Sequence, residues 1–175
     1  MFFTSGMGMH RDKLTSFELA LRDACVEDAN LVSVSSIFPP HCKVLPRNKG
    51  IKLIRPGQVC FSVMARESTD EPNRLIAASI GLARPTNSDA YGYLSEHHSF
   101  GQTKLKAGDY AEDLAASMLA TTLGLSFDPD KAWDERKEVF RMSGQIVHTR
   151  SITKTAKGNK RGLWTTVVAL GVFVL

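Results

Sequence analysis

Asn30-Leu31-Val32-Ser33-Val34-Ser35-Ser36-Ile37-Phe38-Pro39-Pro40 is the stretch on which the reading of this chain turns. Leu31, Val32, Val34 and Ile37 favour extended backbone, so Asn30 to Ser36 is expected to be a strand. Pro39 and Pro40 end it, and Pro39 also pushes Phe38 toward extended geometry. Two adjacent hydroxyls therefore close an apolar strand just before a rigid stop. The residues alone leave two readings open. In one, Ser35 and Ser36 are strand-edge serines. In the other, the Ser36 hydroxyl attacks the Ser35 carbonyl, the peptide bond becomes an ester, and elimination leaves a ketone-bearing cap where Ser36 was. A backbone held in a strained, fixed shape favours that attack.

Outward from this stretch the chain reads as one ordinary domain. Its 175 residues are 43% apolar and 23% charged, enough for a substantial core and without the bias of a disordered segment. Twenty-two basic against eighteen acidic side chains give +4. Part of that excess sits between Lys154 and Arg161, and so mild a balance does not suggest nucleic-acid binding. Cys25, Cys42 and Cys60 are odd in number and lack metal or redox spacing, which favours a reducing compartment. No apolar run of signal-peptide length precedes Arg11-Asp12-Lys13. Leu163–Leu175 is apolar, but about thirteen residues is short of the roughly twenty that a span needs, so a buried strand is expected. A soluble, cytoplasmic protein without membrane partners follows as the expectation.

Taken in order, Phe2–Thr4 reads as a short strand and Ser5-Gly6-Met7-Gly8 as a flexible turn. A helix follows with Thr15 as N-cap, Glu18 completing a capping box, and Leu14 and Leu19 as a hydrophobic staple. Its apolar face is Phe17, Leu21, Ala24 and Cys25, and it runs to about Asp28. Gln58–Ala65, Leu75–Ala83 and Tyr91–His98 are expected strands. The small residues Ala77, Ala78, Ser79 and Gly81 imply close packing against another layer. Gly108–Gly124 is expected to be a helix with Tyr110, Leu114, Met118 and Leu119 on one face. A further surface helix is expected from Asp128-Pro129 to about Gly144. Gln145–Thr153 and Leu163–Leu175 are expected strands joined by a solvated basic hairpin turn at Lys154–Gly162. This mixture argues for a mixed α/β sandwich.

The Asn30–Pro40 stretch resembles the processing site of the pyruvoyl-dependent arginine decarboxylases: Asn, four residues, Ser-Ser, an aliphatic residue, any residue, Pro-Pro. The similarity extends to Phe2-Phe3-Thr4-Ser5-Gly6, to Tyr91-Gly92-Tyr93-Leu94-Ser95-Glu96-His97-His98, and to the C-terminal strand around Trp164. The resemblance implies a four-layer helix–sheet–sheet–helix (α/β/β/α) sandwich. It also implies self-cleavage into residues 1–35 and 36–175, and a covalent pyruvoyl group derived from Ser36. The implied reaction is conversion of L-arginine to agmatine and carbon dioxide, in a trimer whose sites are shared between neighbours.

Amino-acid decarboxylation leaves electrons on the α-carbon, and enzymes normally recruit a carbonyl cofactor that forms a Schiff base with the substrate amine. No Gly-rich phosphate cradle before a helix points to pyridoxal phosphate here, and a self-made pyruvoyl group would do the same work. Glu96 reads as a half-exposed strand carboxylate or, by resemblance, as the essential acid beside the pyruvoyl group, which would need a raised pKa. His97 and His98 mimic a metal pair, but adjacent strand residues face opposite ways, so structural roles are expected and no metal site. Asn30 reads as a turn residue or, by resemblance, as an amide that polarises the attacked carbonyl. Glu18 reads as a cap or, by resemblance, as the carboxylate that meets the guanidinium of arginine. Aspartate holds that place in the family member most closely compared, one methylene shorter. Two competing readings remain: a pyruvoyl decarboxylase for another amino acid, and an unprocessed, non-catalytic paralogue.

Overall fold

The computed structural model describes residues 1–125 and 146–174, so the helix expected at Asp128–Gly144 lies outside the described residues. The first strand, β1 (Phe2–His10), runs straight through the expected Ser5–Gly8 turn. Its glycines serve packing rather than bending. A Cβ on Gly6 would lie 2.1 Å from the Ala20 carbonyl oxygen, and one on Gly8 would lie 2.2 Å from that of Ser16. Only a strand without side chains there lets helix α1 (Lys13–Ala24) rest directly on the sheet.

Helix α1 also starts and ends differently from the sequence reading. Asp12 is the N-cap, its carboxylate accepting from Thr15 N–H at 2.8 Å and from the Thr15 hydroxyl at 3.0 Å. These two bonds hold the Asp12 carboxyl below its usual range. Thr15 is thus inside the helix, Glu18 is not part of a capping box, and Leu14 is 73% exposed rather than stapled. The aspartate wins because it reaches the free N–H groups one turn earlier. At the other end Cys25 adopts φ 59°, and its N–H and that of Val26 fold back on Arg22 and Leu21. This stops the helix before Asp28. The fully buried residues of α1 are Ser16, Ala20 and Ala24, with Phe17 and Leu21 packed at the margin.

The remaining strands are β2 (Asn30–Ser33), β3 (Ile37–Phe38), β4 (Val59–Thr69), β5 (Leu75–Pro85), β6 (Gly92–Phe100), β7 (Ile146–Lys157) and β8 (Trp164–Val172). A short helical turn, α2 (Arg47–Gly50), lies between β3 and β4. They form two four-stranded sheets, ordered β1-β8-β4-β2 and β3-β6-β5-β7. Among the described residues, all strand pairings are antiparallel except β2 with β4. The chain is therefore α+β. The apolar C-terminal stretch is β8, buried in the middle of the first sheet, as a core strand should be. Strands β7 and β8 do not form the expected hairpin. They lie in different sheets, and Lys154 belongs to β7, where its ammonium meets Asp23 at 2.8 Å.

The two sheets face each other across a core that includes Phe3, Val63, Ile76, Ile80, Leu82, Leu94 and Val167. Helix α1 covers the outer face of the first sheet, over β1 and β8. Helix α3 (Lys104–Thr122, N-cap Thr103) covers the outer face of the second. Its buried side is Ala107, Gly108, Ala111, Ala115, Ala116, Leu119 and Ala120, whereas Tyr110 is 50% exposed. Of the expected large-residue face, Tyr110 and Leu114 turn outward while Leu119 is buried, because the sheet leaves little depth for large side chains. A Cβ on Gly81 would come 2.1 Å from the Ala111 carbonyl oxygen. The small residues of β5 do mark close layer packing, as their composition suggested.

Candidate active site

Asn30 to Phe38 is not one strand. β2 pairs with β4 in the first sheet, β3 pairs with β6 in the second, and Val34-Ser35-Ser36 crosses between them. The alternating apolar pattern carries no mark of this change of sheet, since both halves are extended. On one side of the crossing, Val34 N–H donates to the Ser62 carbonyl of β4 at 3.1 Å. On the other, Leu94 N–H donates to the Ser36 carbonyl at 2.7 Å, and Ile37 N–H donates to the Ser35 carbonyl at 2.9 Å. No hydrogen bond among the described residues engages the Ser36 hydroxyl. The serine pair is thus stretched between two rigid sheets.

Glu96 lies two positions beyond Leu94 on β6, about 7 Å along the strand. Strand alternation puts it on the face of Leu94, which points between the sheets. Part of its side chain is open to water, yet the surrounding protein desolvates its carboxyl group and raises its pKa. The Met64 N–H of β4 and the nearby His98 oppose that shift without cancelling it. His98 shares this face and contacts Glu67 of β4 at 3.1 Å, bridging the two sheets. His97 points the other way, to Gln102 at 2.7 Å and against the ring of Tyr110 at 4.4 Å. The two histidines diverge as strand geometry requires. Ser95 likewise faces α3, donating to the Ala111 carbonyl. Among the described residues no group of three His, Cys, Asp or Glu side chains could hold a metal.

Two other sequence candidates are placed elsewhere. The Asn30 amide donates to the Gly57 carbonyl at 2.8 Å, and the Asn30 backbone N–H to Gln58 at 2.8 Å. It anchors the start of β2 to the loop before β4. Glu18 pairs with Arg22 on α1. That helix lies over β1 and β8, while Ser36 lies past the β2 edge of the same sheet, so one chain does not bring Glu18 to Ser36. Sequence reasoning missed Met64 and Glu67, because β4 reaches Glu96 and His98 only through sheet-on-sheet packing. It also missed an exposed apolar patch beside the serines. Val32 and Phe61 are register partners, with Val59 next to them, and all three are exposed.

A serine pair suspended between two sheets, with a glutamate of raised proton affinity on the next strand, suits an acid–base enzyme that draws its electrophile from its own backbone. The family model described as pyruvoyl-dependent arginine decarboxylase (PvlArgDC) matches residues 1–175, and the chain belongs to that family. It is 59% identical to the "Probable pyruvoyl-dependent arginine decarboxylase" of Chloroherpeton thalassium, over 99% of this chain and 96% of that protein. It is 56% identical to the protein of the same name from Chlorobaculum tepidum, with the same coverage. It is 57% identical to "Pyruvoyl-dependent arginine decarboxylase 2" of Methanosarcina mazei, over 99% of this chain and 94% of that protein. The similarity read at Asn30–Pro40 thus extends along the whole chain.

Proposed function

We propose that this protein is a self-processing, pyruvoyl-dependent decarboxylase that converts L-arginine to agmatine and carbon dioxide. The observation that carries the reading is the Ser35-Ser36 crossing, pinned to both sheets beside Glu96 in a chain that matches the family end to end. Cleavage between the serines gives a light chain of residues 1–35 and a heavy chain of residues 36–175 within one domain. The two helix-covered sheets support reading the fold as the four-layer sandwich of the pyruvoyl-dependent histidine and arginine decarboxylases. The cytoplasm is the expected location.

The residues present fit a group made from Ser36. Its hydroxyl is unengaged among the described residues, and its backbone is held between the two sheets by the bonds of Val34 and Leu94. A pyruvoyl group there supplies a carbonyl that draws electrons from the substrate as carbon dioxide leaves. The chain's own residues do the rest. Glu96, kept protonated to higher pH by desolvation, holds the proton that the α-carbon gains. Met64 N–H fixes the orientation of its carboxyl. Asn30, locked onto Gly57, sets where the serine pair begins its crossing.

Glu18 meets the substrate guanidinium from a neighbouring copy in a homotrimer. The exposed Val32–Val59–Phe61 patch beside the site supports such a cover, since water must be kept from the reacting carbon. The reading is tested by mass spectrometry of purified protein together with carbon dioxide release from L-arginine. Two fragments and agmatine formation are expected from the natural sequence, and one uncut, inactive chain from Ser36→Ala. A natural chain that stays intact and inert would overturn the reading.

A further inference from the structure

The bond from Ile37 N–H to the Ser35 carbonyl oxygen, 2.9 Å, links residue i+2 to residue i and closes a γ-turn around Ser36. Ser36 is not among the non-glycine residues with positive φ, so the turn is the common inverse form. Neighbouring strands hold both of its flanks. Val34 is tied to Ser62 of the first sheet at 3.1 Å, and the Ser36 carbonyl is tied to Leu94 of the second at 2.7 Å. Fixing the Ser36 carbonyl fixes the plane of the Ser36–Ile37 peptide, and with it the direction of the Ile37 N–H.

The Ser35 carbonyl held by this N–H is the one that Ser36 Oγ must attack. Resting on the self-processing reading above, we propose that the Ile37 backbone N–H is the oxyanion donor of self-cleavage. In the step it serves, Ser36 Oγ bonds to the Ser35 carbonyl carbon and gives up its proton. The negative charge develops on the oxygen that Ile37 N–H already faces. Collapse then breaks the Ser35–Ser36 carbon–nitrogen bond, and the proton ends on the Ser36 nitrogen. The step is an isomerisation from amide to ester and needs no outside reagent. A donor aimed in advance by two sheets stabilises the charge without reorganising when it forms. The geometry also sets Ser36 apart from Ser33, which lies inside the regular ladder of β2.

The test replaces Ile37 in the full-length precursor by the α-hydroxy acid carrying the same side chain, which removes the N–H alone. The formation of fragments ending at Ser35 is followed by mass spectrometry, with and without hydroxylamine to capture the ester. Loss of one oxyanion donor is expected to slow both readouts by about a hundredfold or more. The matching change at His41, which removes a backbone donor to the Ser88 carbonyl and takes no part in aiming the Ile37 N–H, serves as a reference of similar structural damage and should slow them far less. Ile37→Val keeps the N–H and should process normally. Thermal unfolding of each precursor confirms that the chains compared are folded. Unchanged kinetics in the Ile37 ester, equal slowing at positions 37 and 41, or slowing only after ester capture would each overturn the proposal. Failure of the natural chain to cleave would instead overturn the function proposed above.

Discussion

Glu96→Gln separates the proton-donating role of this side chain from its place in the fold. Glutamine keeps an oxygen facing the Met64 N–H and fits the same strand position, so the sheets and the serine crossing are expected to persist and self-cleavage to proceed. What it lacks is a transferable proton. A positioned general acid contributes about 10²–10⁴ in rate, or roughly 3–5 kcal/mol of barrier. Carbon dioxide release from L-arginine should fall by that factor while the light fragment appears at the normal rate. The pH dependence sharpens the test. Desolvation raises the folded-state pKa of Glu96, so the protonated acid survives above the ordinary carboxylate range. Turnover of the natural enzyme should decline as pH rises through that raised value, and the variant should show no such limb. Stability follows the same sign. The folded state binds this proton more tightly than the unfolded one, so its contribution is complete below the unfolded pKa and is lost as pH rises through the folded pKa. The variant should lack that slope. Normal turnover in Glu96→Gln, or an unaltered pH profile, would refute the assignment of Glu96 as the acid.

Further expectations concern the shell around the site. Gly81→Ala puts a methyl 2.1 Å from the Ala111 carbonyl oxygen and 2.6 Å from Ser95 Oγ, so α3 must retreat by at least 3.0 − 2.1 = 0.9 Å. Overpacking and the strained Ser95–Ala111 bond together should cost about 2–4 kcal/mol, a Tm loss on the order of 10 °C by calorimetry. Asp12→Ala should lower Tm at neutral pH, and the difference should shrink as pH falls through the depressed Asp12 pKa, because the carboxylate caps α1 only when ionised. If the sites are shared between copies, Glu18→Gln and Ser36→Ala should each be inactive alone. Co-assembled, the pair should regain activity, because some sites then combine an intact Ser36 with a neighbour's intact Glu18. A mixture with no recovered turnover would place Glu18 outside the site.

Much of this protein was legible in its residues, and the limit of that reading has a physical pattern. Local chemistry announced itself: the serine pair before two prolines, the buried nature of the C-terminal strand, and the opposed directions of His97 and His98 all depend on neighbours in sequence. Proximity across the fold did not. That Asn30–Phe38 changes sheets at Ser35, and that β4 brings Met64 and Glu67 to β6, follows from sheet-on-sheet packing that no periodicity encodes. Gly6 and Gly8 resemble a turn until α1 is seen lying on them, and the alanines of α3 outrank its larger residues only because Gly81 draws the helix in. The sequence by itself determined which groups could react. The tertiary structure alone decided which of them meet, because layers are joined by complementary depth and backbone hydrogen bonds rather than by residue type.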